Sequence, residues 1–176
     1  GHTEVVSLLL AKEGVDVNLA EKDGGTPLFI ASLNGHTEVV SLLLAKEGVD
    51  VNQAEKNGAT PLYIASQNGH TEVASLLLAK EGVDVNQARK HGVTPLHVAS
   101  RKGHTEVVSL LLAKEGIDVN LKDAFGLTAY YRAKGSGIKT MLKENGAFPP
   151  TISDHATIAL SCFHMLIKEK FSVILG

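Results

Sequence analysis

Four histidines, His2, His36, His70 and His104, stand 34 residues apart, and four aspartates, Asp16, Asp50, Asp84 and Asp118, keep the same interval. Imidazoles in register suggest a metal centre, and evenly placed carboxylates suggest acid–base pairs. Geometry argues against both. If each copy sits on its own packed helix, equivalent positions lie roughly 8–10 Å apart, whereas zinc holds its ligands at about 2 Å. Each histidine is instead expected to bond the turn between helices, and no metal or other cofactor is implied. His97, at a helix start, is likewise expected to be a structural hydrogen-bonder. Cys162 has no sequence partner with the look of a catalytic base, and His164 would face another side of a helix. Gly135-Ser136-Gly137 lacks the longer glycine pattern, the lysine and the strand of a phosphate loop. Residues 1–147 therefore offer no active site, and the chain reads as a non-enzyme.

The interval itself is the stronger signal. Three nearly identical 34-residue blocks occupy 1–34, 35–68 and 69–102, and a fourth begins at Gly103 and decays after Asn120. Self-similarity at this period marks a solenoid, in which each unit stacks only on its neighbours.

Each block carries two helix signals. Thr26-Pro27, Thr60-Pro61 and Thr94-Pro95 pair a capping threonine with a proline at the first helical position, where no N–H is needed. Asn34-Gly35 ends that short helix, because both residues tolerate the left-handed conformation. The second helix is expected from about His36 or Thr37 to Glu47, with Gly48 as its stop. Val39, Val40, Leu42, Leu43 and Leu44 spread over roughly half its circumference at about 100° per residue. One block cannot bury so wide a face; a stack can. Between successive blocks, Val49-Asp50-Val51 followed by Asn57-Gly58 reads as a short strand signal and a projecting hairpin-like turn.

That order of parts resembles the ankyrin repeat. Gly-x-Thr-Pro-Leu stands at Gly24–Leu28, Gly58–Leu62 and Gly92–Leu96, Gly-His-x-Glu-Val at Gly35, Gly69 and Gly103, and Asp-Val-Asn at Asp16, Asp50, Asp84 and Asp118. His97 completes the family's Thr-Pro-Leu-His-x-Ala pattern, where Phe29 and Tyr63 replace it earlier. The resemblance implies an all-α fold, an ankyrin-repeat α-solenoid of helix–turn–helix units with protruding β-hairpin-like loops. Its divisions are a partial N-terminal repeat at 1–19 (second helix alone), repeats at 20–53, 54–87 and 88–121, a degenerate C-terminal capping repeat at 122–147, and an apolar tail at 148–176. The family period is typically 33. The extra residue here is expected in Ala45-Lys46-Glu47, lengthening the end of the second helix.

The ends depart from the pattern. Val5, Val6, Leu8 and Leu9 are expected to lie open on one side, where a terminal repeat normally turns polar. The chain reads as a piece of a longer array, with a truncated product tolerating a frayed end as the alternative. At the other end, Met141-Leu142-Lys143-Glu144-Asn145-Gly146 resembles the close of a capping repeat. Within the tail, residues 158–167 read either as a helix packed across the last repeat or as a non-native extension.

Composition limits the partners. A net charge of −2, from 17 basic and 19 acidic residues, supplies no global field toward nucleic acid or an anionic membrane. The single cysteine cannot form an internal disulfide. Residues 158–175 are cut by Lys168, Glu169 and Lys170, which makes them a poor membrane span. A soluble protein of a reducing compartment is expected: cytoplasmic, with the nucleus left open.

The resemblance implies a non-catalytic module that binds a partner protein through loop tips and the exposed side of the first helices. On this chain those are Lys22, Asp23, Gly25, Leu33 and Asn34; then Lys56, Asn57, Ala59, Gln67 and Asn68; then Arg89, Lys90, His91, Val93, Arg101 and Lys102; and finally Ala124 and Phe125. It also implies Asn18, Asn52, Asn86 and Asn120 as sites of asparagine hydroxylation where a suitable hydroxylase is present. Between the second and third blocks, Glu55 becomes Arg89, Asn57 becomes His91, Gln67 becomes Arg101 and Asn68 becomes Lys102. Arg89, Lys90, Arg101 and Lys102 thus suggest a basic patch for an acidic segment of a partner; drift among recent duplicates would give the same differences. No small-molecule substrate is implied. The alternative is a regulatory or recognition segment of a longer enzyme or channel whose catalytic part lies outside this chain.

Overall fold

The computed structural model describes residues 2–148. The expectations for residues 149–176, including the helix at 158–167 and the Cys162–His164 pair, lie outside the described residues. Within them the chain forms two rows of short helices. The first helices are α2 (Pro27–Leu33), α4 (Pro61–Asn68), α6 (Pro95–Lys102) and α8 (Ala129–Arg132). The second helices are α1 (Thr3–Leu10), α3 (Thr37–Ala45), α5 (Thr71–Ala79), α7 (Thr105–Leu112) and α9 (Ser136–Glu144). Each first helix packs on the next first helix and on its own second helix, and the second helices pack in sequence.

Local chemistry starts and stops these helices as the sequence suggests. Thr26, Thr60 and Thr94 are buried N-caps whose hydroxyls accept from the backbone N–H three residues on, at 3.1, 3.1 and 3.4 Å. Proline follows each of them at the first helical position. At the junction to the second helix, Gly69 is left-handed with φ 77°, and a Cβ there would stand 2.6 Å from His104 Nδ1. Glycine is therefore required twice over, by backbone conformation and by the imidazole above it.

Burial follows the stack. Val39, Val40, Leu43 and Leu44 of α3 are buried, as are Val73, Ala74, Leu77 and Leu78 of α5. Each such apolar side chain contributes on the order of 1.5–3 kcal/mol before chain entropy opposes it. The same sequence in α1 buries no residue: Val5 is 54% exposed, Leu8 70% and Leu9 55%. At the other end α9 buries Ile138 and Leu142.

Three sequence expectations change in detail. The second helix is not lengthened: α3 and α5 end at Ala45 and Ala79, and Lys46 and Lys80 leave the helix in extended conformation. Their ammonium groups instead reach back one unit, Lys46 Nζ to Leu10 O at 2.9 Å and Lys80 Nζ to Leu44 O at 2.8 Å. A cation on the open carbonyls of the preceding helix complements its dipole. Second, the Val-x-Val signal forms no strand among the described residues; Val51 and Val85 are core side chains beneath the stack. Third, the repeated histidines bond the neighbouring unit, since His70 Nε2 lies 3.1 Å from Leu33 O and His104 Nε2 3.1 Å from Gln67 O.

The repeated Asp-Val-Asn also locks units together. Asp50 Oδ1 accepts from Asn52 N at 2.9 Å, which fixes the turn. Asn52 then donates to Gly82 O at 2.7 Å and accepts from Asp84 N at 2.8 Å. Asn18, Asn86 and Asn120 repeat this clamp.

The glycine junction offers a direct comparison. Gly116 has φ 82° with nothing within 4 Å of its missing Cβ. Gly116→Ala should cost about 1–2 kcal/mol from backbone strain alone. Gly69→Ala carries similar strain and also displaces His104 from its bond, so it should cost roughly 1 kcal/mol more. Urea unfolding of both variants measures the difference; equal losses would show that His104 adds nothing to the junction.

Candidate functional site

The loops that join successive units project on the side of the first helices, and each closes on itself through backbone bonds between its ends. Glu21 N reaches Gly25 O at 3.0 Å, Glu55 N reaches Ala59 O at 3.0 Å, Arg89 N reaches Val93 O at 3.1 Å and Asp123 N reaches Leu127 O at 2.9 Å. The tips are also joined to one another: Lys56 N donates to Asp23 O, Lys90 N to Asn57 O and Ala124 N to His91 O, at 3.0, 2.9 and 2.8 Å. The tips thus form one connected row instead of four independent loops. Side chains extend it, with Lys56 on Asp23 at 3.3 Å and Lys90 on Asn57 at 3.1 Å.

The residues expected to face a partner divide by burial. Lys22, Asp23, Asn34, Lys56, Asn57, Asn68, Lys90, His91, Arg101, Lys102 and Ala124 are exposed, and Leu33, Gln67, Arg89, Val93 and Phe125 are half-buried. Gly25 and Ala59 are buried and present nothing to a partner. Ala59 belongs to a second apolar cluster with Phe29, Tyr63, Ile64 and Val98, which lines the loop side of the first helices. Asn68 is partly committed, because its Nδ2 donates to Leu33 O at 2.9 Å.

At the junction of the third and fourth loops these residues converge on a cavity of about 210 Å³, lined by Tyr63, Arg89, Lys90, His91, Val93, His97, Arg101, Phe125 and Arg132. Three members of the expected basic patch meet there, while Lys102 points elsewhere on α6 and does not line it. Arg89 lies over the buried Tyr63 ring, its guanidinium carbon 5.3 Å from the centroid and Nη1 3.3 Å from the hydroxyl. Arg89 Nε is buried without a partner. Phe125 stacks against His91 at 6.2 Å between ring centroids and sits under Arg132 at 5.6 Å. Arg132 is ion-paired to the buried Asp123, whose other oxygen accepts from Phe125 N and Leu127 N at 2.9 and 3.0 Å.

Sequence reasoning did not find Tyr63, His97 or Arg132 in this site. Tyr63 and His97 occupy the first-helix position that reads as core or structural in every block. Arg132 lies in the decayed fourth unit, where no second copy exposes it by comparison. His91 was named for its place in the loop, but its left-handed backbone, φ 67°, could not be read from its type. A non-glycine residue in that region is uncommon and carries strain.

His97 is held neutral by its surroundings. Its Nδ1 accepts from Thr94 N at 3.3 Å and sits 2.7 Å from the Thr94 hydroxyl, while Nε2 donates to Leu127 O at 2.9 Å. A second proton would set a donor against the Thr94 N–H. Burial accordingly lowers its pKa below the ordinary 6.5, and the Arg132 charge acts in the same direction, against the Leu127 bond and Asp123. The unfolded chain therefore takes up this proton first as pH falls. His97's stabilising contribution should be complete above about pH 7 and decline below 6.5, by at most about 1.4 kcal/mol per pH unit. His97→Phe, which copies Phe29, should remove that part of the slope while lowering stability at pH 7.5 by about 1 kcal/mol. Chemical unfolding across pH 5–8 checks it; an unchanged acid slope in the variant would refute the neutral assignment.

Among the described residues, no three His, Cys, Asp or Glu side chains stand together as a metal site. In the same residues no helix is long and apolar enough to cross a membrane. Comparison with known proteins agrees with the stacked geometry. The family model described as ankyrin repeats in three copies matches residues 1–89, 48–123 and 81–150. Among solved structures, the crystal structure of EF0377, an ankyrin repeat protein, is similar with a TM-score of 0.77 and 30% sequence identity, over 84% of this chain and 77% of that one. No curated protein sequence matches. Ankyrin repeats are generally protein–protein interaction modules, and their fold is typically non-catalytic. The matched repeats, the helix pairs and the connected loop row together place this chain in the ankyrin repeat family.

Proposed function

We propose that this protein is a non-catalytic binding module that holds a segment of a partner protein along its loop tips and first helices, in the cytoplasm. The observation that carries the reading is the connected row of tips: Lys56, Lys90 and Ala124 each donate a backbone bond to the preceding loop. A row held this way presents its side chains at fixed spacing, so a partner loses little free energy in ordering them. Function then rests on the positions that differ between otherwise near-identical units. The third unit replaces Glu55, Gln67 and Asn68 of the second with Arg89, Arg101 and Lys102. With Lys90, these side chains favour an acidic segment, whose encounter such charges also accelerate.

The test changes all four cations at once. Arg89→Glu, Arg101→Gln and Lys102→Asn restore second-unit residues that the fold already carries, and Lys90→Glu reverses the remaining charge. Affinity purification from the native cell with wild-type and quadruple-variant protein, read by mass spectrometry, should lose the principal partner at both 50 and 150 mM salt. The Kd measured for that partner should rise by about tenfold or more, the equivalent of roughly 1.4 kcal/mol. Unchanged recovery at low salt would remove the acidic-segment reading, and a wild-type protein that recovers no specific partner would remove the binding-module reading.

A further inference from the structure

We infer that the cavity between the third and fourth loops is an anchor site for a phosphotyrosine side chain on the partner segment. This rests on the binding-module reading, since the group must arrive on a protein. Size comes first. At about 210 Å³ the cavity is smaller than the roughly 300–1,000 Å³ of small-molecule clefts, so it suits one inserted side chain.

Charge selects the head group. Arg89, Lys90, Arg101 and Arg132 line the cavity, and the acid in contact with them is Asp123, bound to Arg132. A surplus of three positive charges remains, more than one carboxylate neutralises. A phosphate monoester carries about −1.5 to −2 at neutral pH and offers three acceptor oxygens to charge-assisted donors. Arg89, which lines this wall, carries a buried donor without a partner, Nε. Recognition of phosphorylated motifs by clustered arginines uses the same physics.

The walls select what carries the phosphate. Val93 and Phe125 are apolar, and Tyr63 lies beneath Arg89. An aromatic ring inserted here meets an apolar side chain, another aromatic ring and guanidinium groups, each of which attracts a π-system. The short stem of phosphoserine would leave that surface wet. The second unit supplies the internal contrast, since Glu55 and Gln67 stand where Arg89 and Arg101 do, and a dianion at the preceding junction would meet a carboxylate.

The test uses the full chain, isotope-labelled at pH 7.5, and three probes: phenyl phosphate, inorganic phosphate and benzoate. Phenyl phosphate should shift the amides of Arg89, His91, Val93 and Phe125 saturably, with a Kd about tenfold below that of either other probe. Arg89→Glu and Arg101→Gln should each weaken it by about tenfold with the rest of the spectrum unchanged, while Lys12→Gln, exposed just after α1 in the row of second helices, should leave it unaffected. Benzoate binding as well as phenyl phosphate would overturn the dianion, and inorganic phosphate binding equally would overturn the ring. Shifts that survive Arg101→Gln, or no saturable shift, would overturn the site. A partner recovered from cells and treated with tyrosine phosphatase separates the two claims. Undiminished binding after treatment sinks the phosphotyrosine anchor and leaves the module reading intact. Loss of binding on treatment, with restoration by rephosphorylation, supports both.

Discussion

No unit of this protein can cover its own apolar face, and everything else in the structure follows from that. The point is visible because the same residues occur in two settings. Val5 and Leu9 of α1 are more than half exposed, whereas Val39 and Leu43, one period on, are 7% and 3% exposed. Sequence is constant across that pair; the neighbour is what differs. The polar contacts obey the same rule. Asn52 reaches Gly82, His70 reaches Leu33 and Lys80 reaches Leu44, each spanning about one unit of chain. Stability is then close to a sum of unit and interface terms, and a repeated sequence is the simplest way to make every interface fit.

This explains which features were legible in the sequence. The helix starts were, because Thr-Pro acts within its own turn: Thr60 caps Tyr63 three residues on. The second-helix stripe was, because its width already implied neighbours on both sides. Lys46 was misread because its partner, Leu10 O, belongs to the previous unit. As a helix-end residue followed by Glu47-Gly48 it looked like one more turn of helix. Val49-Asp50-Val51 looked like a strand because alternation signals burial of alternate side chains, and Val51 is indeed buried. Its backbone, however, is held by the Asn18 side chain, which accepts from Asp50 N, and by the Asp50 side chain, which accepts from Asn52 N, and not by a strand partner. A single copy cannot reveal whether a side chain bonds its own unit or the next.

The site was legible to the extent that copies differ. Comparing the second and third blocks isolates Arg89, His91, Arg101 and Lys102, because most residues shared by the copies are those that any unit needs to stack. The family resemblance also named Gly25 and Ala59, which differ between the first two blocks yet lie buried; a loop position that varies is not thereby exposed. Arg132 escaped because the fourth unit has decayed, and its ion pair with Asp123 joins two residues that are unremarkable apart.

The third loop also shows what local order its basic residue displaces. In the second loop, Glu55 satisfies its own turn, accepting from Ala59 N at 3.2 Å and from Asn57 Nδ2 at 3.1 Å. In the fourth, Asp123 plays the same part for Phe125 N and Leu127 N. Arginine cannot accept a hydrogen bond, so Arg89 gives its loop nothing of the kind and turns to the Tyr63 ring. That loop is the one whose tip, His91, adopts a left-handed backbone, and it is the one whose opening residue has an unpartnered donor beside a cavity. Local consistency that the neighbouring loops keep is given up here, in the unit whose surface has diverged most toward positive charge. Departures of this kind concentrate where a surface is shaped for a ligand and the rest of the fold supplies the stability. The rigid stack on either side, with its Asn clamps and glycine junctions intact, is what allows one loop to forgo the side-chain hydrogen bonds that its neighbours keep.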